Sequence, residues 1–240
     1  MIEGPPWLTG SFLRATRDLG AEASQPQIIE TAESLLRLWL APQRQYHTLR
    51  HLVDMLTRID ELAPEAIRPA CVRLAAFYHG AVFDPPAPDD GPEQADLAMP
   101  FAANWEDTSA SARLAQRQLS GIGIAPELAE RVGDLVRTLD KLAVLPRDAD
   151  SAVLVDAALG QLAADPQRYA EYQRQVRQEN QAVSDEVYLN ARLASLSHLM
   201  DRPALFHTTG ASGWENAARD NISGEISRVR RQLLKLRDLG

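Results

Sequence analysis

Residues 214–239, WENAARDNISGEISRVRRQLLKLRDL, set Ile222, Ile226, Val229, Leu233 and Leu236 at alternating steps of four and three. That rhythm returns apolar side chains to one stripe of an α-helix and matches no face of a strand. The same rhythm runs back through the chain. From Gln27 to Leu40 it is carried by Ile28, Ile29, Ala32, Leu35, Leu36 and Trp39, and Pro42 stops it. From Thr48 to Leu62 it is carried by Leu52, Met55, Leu56 and Ile59. Ala70 to Tyr78, Thr108 to Leu119, Pro126 to Leu142 and Asp150 to Leu162 read as further helices. Pro166 to Met200 reads as one long helix, with Tyr169, Tyr172, Val176, Val183 and Val187 on its stripe and Pro203 at its end. Thr208 to Gly213 and Gly121-Ile122-Gly123 read as turns. No strand alternation, internal repeat or linker between two cores is visible. The expectation is a single all-α domain over residues 1–240, a helical bundle.

One stretch breaks the pattern. Pro85, Pro86, Pro88, Pro92 and Pro100 fall among Asp84, Asp89, Asp90, Glu93 and Asp96. The expectation is a Pro- and acid-rich loop inserted at about 85–104. Loops longer than roughly 15 residues in a compact domain are usually functional or disordered. This one is a candidate for docking a protein partner or covering a pocket.

Composition narrows the function classes. Of 240 residues, 33 are acidic and 25 basic, for a net charge of −8, and no block of basic residues is evident. A nucleic-acid partner is therefore not expected. No apolar run approaches the roughly 18 residues of a membrane span. The amino terminus has no basic start and no apolar core of a signal peptide. The single cysteine, Cys71, forms no internal disulfide and reads as a buried small hydrophobe. Together these point to a cytoplasmic protein. No GxGxxG, P-loop or GxSxG spacing occurs, which removes dinucleotide, P-loop and α/β-hydrolase chemistry.

Five histidines remain. His47 and His51 are four apart and share a helix face, and His79 follows an apolar helix. Two imidazoles so spaced can face one metal or one phosphate, or one can be a hydrogen-bonded packing residue. His198 and His207 read as surface or packing residues. Hydrolytic metal sites also need acids, and Asp84, Asp89, Asp90 and Glu106 lie downstream of His79.

Several segments, in order, resemble a branch of the predicted metal-dependent HD-superfamily phosphohydrolases. Tyr46-His47-Thr48-Leu49-Arg50-His51 resembles its YHxxxH opening, and the segment Phe77 to Pro85 resembles its FHDAVYDP. Asn104 to Ala110 is similar to its NExxSA helix start, and Leu154 to Leu159 to its LDADL. Tyr169 to Glu179 resembles YxxYxxxVRxE, and Glu215 to Asn221 resembles ExxARxN. The resemblance runs from about Trp39 to Glu225. It implies an HD-type helical bundle, a divalent metal and a phosphate-ester substrate.

Three positions depart from it. The His-Asp doublet is His79-Gly80 here, and glycine has no side chain with which to ligate. The family's next histidine is Lys141, whose ammonium group repels a metal cation. The second acid of LDADL is Ala158. What remains resembling metal ligands is His51 or His47, His79 and Asp156. The expectation is a catalytically degenerate protein without a metal. It would bind a small anionic ligand, through His47, Lys141 and Arg177, or a protein partner. The alternative is an active phosphohydrolase with a reduced ligand set. His51, His79 and Asp156 would then hold Mn, Mg, Fe, Ni or Zn, and Glu106 would orient the water. Glu179, Arg192, Glu215, Arg219 and Asn221 read as ion-pair and hydrogen-bond partners that join helices. Oligomeric state stays open.

Overall fold

The computed structural model describes residues 5–83 and 108–239, the side chains of Asp140, Lys141 and Leu239 apart. The inserted loop and Glu106 lie outside the described residues. Among the described residues the chain is all-α, with ten α-helices and no strand. They are α1 (Pro6–Asp18), α2 (Gln25–Trp39), α3 (Leu49–Leu62), α4 (Pro69–Tyr78), α5 (Thr108–Gly121), α6 (Pro126–Lys141), α7 (Ala149–Leu159), α8 (Pro166–Glu179), α9 (Asp185–Met200) and α10 (Glu215–Leu239). No helix among them is long and apolar enough to cross a membrane.

The core is built around α4. Its residues Cys71, Val72 and Leu74 to Tyr78 are all buried, and α1, α3, α5, α6 and α7 pack on it. A helix apolar on every side needs neighbours on every side, and α4 has them. On one flank the Phe12 ring of α1 meets Phe77 edge-on at 5.4 Å. On another, the Trp39 indole N–H of α2 donates to the Phe77 carbonyl at 2.9 Å, so the largest buried side chain also satisfies its polar atom.

Two elements differ from the sequence-based expectation. Helix α1 is not anticipated, although Leu8, Phe12 and Ala15 carry the helical spacing and Pro6 suits a first turn. The long helix from Pro166 to Met200 is two helices. Arg177 ends α8 by donating to the Asn180 carbonyl at 2.5 Å and the Val183 carbonyl at 3.1 Å. Asn180 Nδ2 donates back to the Val176 carbonyl at 2.8 Å. Ser184 then caps α9, accepting from Val187 N–H. Apolar periodicity persists across the break because Val183 stays buried. The turn expected at 121–123 is present. Gly123 takes φ +83° there, and an added Cβ would lie 2.8 Å from Glu22 Cβ.

Candidate functional site

The histidines of the front half converge. His47 lies in the loop before α3, His51 in the first turn of α3, and His79 at the end of α4. Ring centroids of His47 and His51 are 5.4 Å apart, and those of His51 and His79 are 6.1 Å apart. Tyr46 packs against both His51 and Tyr172, closing one side.

Two groups from elsewhere hold this arrangement. One is Glu179, at the last turn of α8. Its Oε1 accepts from three successive backbone N–H groups, Gln45, Tyr46 and His47, each at 2.8 Å. Its Oε2 lies 2.7 Å from His47 Nδ1. Burial alone raises this carboxyl's pKa; the neighbouring His47 and the hydrogen bonds outweigh it and hold the group at about 2. The other is Arg44, which is buried. It donates to the carbonyls of Leu38, His47, Gly80 and Ala81 at 2.8–3.1 Å, and it stacks on Trp39 and Phe83. One guanidinium thus ties the end of α2, the His47 loop and the end of α4 together. The sequence reading missed Arg44. An arginine three residues before the first histidine, between apolar helices, is the only signal it leaves.

His51 is the most deeply buried of the three. Its Nε2 has no hydrogen-bond partner among the described residues. Its pKa is pushed well below 6.5, first by desolvation, then by His47, His79, Arg58 and Arg44. The imidazole is therefore neutral near pH 7.

The remaining sequence candidates are employed differently. Asp156 is fully buried in α7, but both its oxygens face the turn before α10. They accept from the His207 and Thr208 backbone N–H groups and from the Thr208 hydroxyl, at 2.7–3.0 Å. Desolvation nevertheless raises its pKa. Arg177, besides ending α8, pairs with Asp185 at 2.6 Å and stacks on Tyr188. It lines a cleft formed with α9 and α10, not the histidine cluster. The Lys141 side chain and Glu106 lie outside the described residues. Cys71 is buried and burial pushes its thiol up to about 11, so it is no nucleophile.

Gly80 has a backbone reason to be glycine. His79 is the last helical cap of α4, and Gly80 follows at φ +65°. That left-handed conformation ends a helix at low cost only when no Cβ is present. The position where the family resemblance expects an aspartate is here a helix stop.

A divalent metal needs several donors at one point. Among the described residues no group of three His, Cys, Asp or Glu is arranged to hold one. The orphan His51 Nε2 is a donor of the right kind, but Asp156 is committed to the 207–208 turn and Glu179 to the His47 loop. The described residues do not fit a metal ion. Comparison with protein-family models, curated proteins and solved structures finds no match for this chain.

Proposed function

We propose that this protein is a phosphohydrolase-like helical bundle whose histidine pocket binds a small anion and does not hydrolyse it. One observation carries the reading: three imidazoles meet with Arg44 around a buried His51 whose Nε2 has no hydrogen-bond partner among the described residues, and the main charged neighbours acting on it, His47, His79, Arg58 and Arg44, are basic. A positive field of that kind repels a metal cation and attracts an anion. The sequence departures agree with it, since Gly80 and Ala158 remove acids and Lys141 adds a cation near the end of α6.

Metal analysis of protein purified without chelator tests the first half. The expected result is less than stoichiometric Mn, Fe, Ni or Zn. Stoichiometric metal that is lost in His51→Ala and His79→Ala would reverse the reading and restore the active phosphohydrolase. Turnover of a generic phosphate ester above a His79→Ala control would do the same. For the second half, inorganic phosphate at constant ionic strength is expected to raise the melting temperature of the wild type but not of His47→Ala. Equal shifts in both proteins would remove the anion site.

A further inference from the structure

A second cleft lies apart from the histidines, between α8, α9 and α10. Its volume is about 780 Å³, within the roughly 300–1,000 Å³ typical of small-molecule sites. Its floor is the buried Arg192–Glu225 pair, whose 2.7 Å contact neutralises both charges. Its rim carries Arg174, Arg228 and Lys235, and among the described residues none of these three makes an ion pair. With Arg177–Asp185 and Arg192–Glu225 already paired, a surplus of three cations around one cavity is unexpected on a chain of net charge −8. Beside them the wall is apolar, formed by Leu189, Val229, Leu236 and the Tyr188 ring.

One polar atom behind the cleft wall is without a partner among the described residues. Gln173 Oε1 accepts from Arg228 at 3.2 Å, while its Nε2 is buried without a partner. A buried amide donor left unpaired costs about 1–3 kcal/mol.

We infer that this cleft binds an amphiphilic organic anion, with its phosphate- or sulfonate-like head among Arg174, Arg228 and Gln173 and its apolar body against Leu189, Val229 and Leu236. Arginine favours such oxyanions because its planar fork donates two parallel hydrogen bonds. The inference does not depend on the histidine pocket.

The probe is anilinonaphthalene sulfonate, read by fluorescence titration, with uncharged N-phenylnaphthylamine as the matched control. The expected result is saturable binding of the sulfonate dye, weakened about tenfold by Arg228→Glu/Lys235→Glu. The pair Arg230→Glu/Arg231→Glu makes the same change in net charge on the same helix, outside the cleft, and is expected to leave the affinity unchanged. His51→Ala is also expected to leave it unchanged. All the reversed charges are exposed, and circular dichroism melts verify that each variant is folded. Equal weakening by both charge reversals would show general electrostatics and overturn the inference. So would an unchanged affinity in Arg228→Glu/Lys235→Glu, equally tight binding of the neutral dye, or no binding of the sulfonate dye.

Discussion

At the residue scale, three acids do structural work by holding distant turns, two of them at positions that the sequence resemblance had singled out. Glu179, Asp156 and Glu65 each gather backbone N–H groups from a distant turn. Glu65 accepts from Thr209 and Gly210, one residue beyond the turn that Asp156 holds. Replacing Asp156 with Ala is expected to cost about 2–4 kcal/mol in urea unfolding, because it strands the buried Thr208 N–H and hydroxyl and the part-buried His207 N–H. A loss below about 0.5 kcal/mol would mean that water replaces the carboxylate there without cost.

Acid lability follows from the same residues. Glu179 has a folded pKa of about 2 against an ordinary 4.5. Its stabilisation is therefore present above 4.5 and is lost as pH falls from there toward 2. His51 is held neutral with its pKa well below 6.5. The unfolded chain takes up the proton first, so stability falls as pH drops below 6.5. Both effects have the same sign. Between about pH 7 and pH 5 the His51 contribution dominates, because Glu179 remains ionised in both states over most of that range. His51→Phe should flatten the unfolding midpoint against pH in that window. A slope as steep as the wild type's would place the titrating group elsewhere.

At the element scale, the ends of helices carry the deviations that matter. Gly80→Asp creates a His-Asp doublet but forces a Cβ into φ +65°, and it is expected to destabilise by about 1 kcal/mol. Gly80→Asn should cost less, since asparagine tolerates the left-handed region better. A Gly80→Asp variant as stable as wild type would show that α4 can extend past His79. The break between α8 and α9 turns on Arg177, and their packing on α10 turns on Arg192. Arg192 pairs with Glu225, contacts the Tyr172 hydroxyl at 3.2 Å, and is fully enclosed. Removing one partner of such a pair costs about 3–5 kcal/mol, whereas replacing both with apolar residues costs far less. Arg192→Met/Glu225→Leu should thus be more stable than Glu225→Leu alone. The reverse order, measured by urea denaturation, would mean the ion pair itself is the stabilising unit.

Helix positions were readable because burial imposes a period on the sequence. The α10 stripe of Ile222, Val229 and Leu233 is such a case, since those residues are buried where the spacing puts them. The α8–α9 break was hidden by the apolar stripe that runs across it; the local signals it leaves are Asn180, a poor residue for a helix interior, and Ser184 followed by Asp185 and Glu186, a helix-start pattern. The site was legible in part. Three histidines singled out by spacing come together, which spacing alone does not show, and motif spacing cannot tell which way a carboxylate faces. Asp156 keeps its place in the motif and aims at the 207–208 turn. Arg44 belongs to no motif, and its role rests on carbonyls from three segments far apart in the sequence.

At the scale of the whole molecule, stability should grade outward from α4. The α4 residues from Leu74 to Tyr78 are all buried, while Leu234 and Leu236 in the last turns of α10 are substantially exposed. Native-state hydrogen exchange is expected to be slowest for the amides of Leu74 to Tyr78 and fastest, among helical amides, at the end of α10. Slow exchange at residues 234–239 would indicate that α10 is covered in solution by another chain.

Glu179 lies 132 residues from His47, whose N–H it holds. The front histidine loop is therefore not a local product of its own sequence. A chain cut anywhere between α4 and α8, after His79, contains all three clustered histidines yet lacks the group that orients the first. The histidine pocket is completed only once α8 has been made, so pocket geometry doubles as a readout of whether that helix has docked.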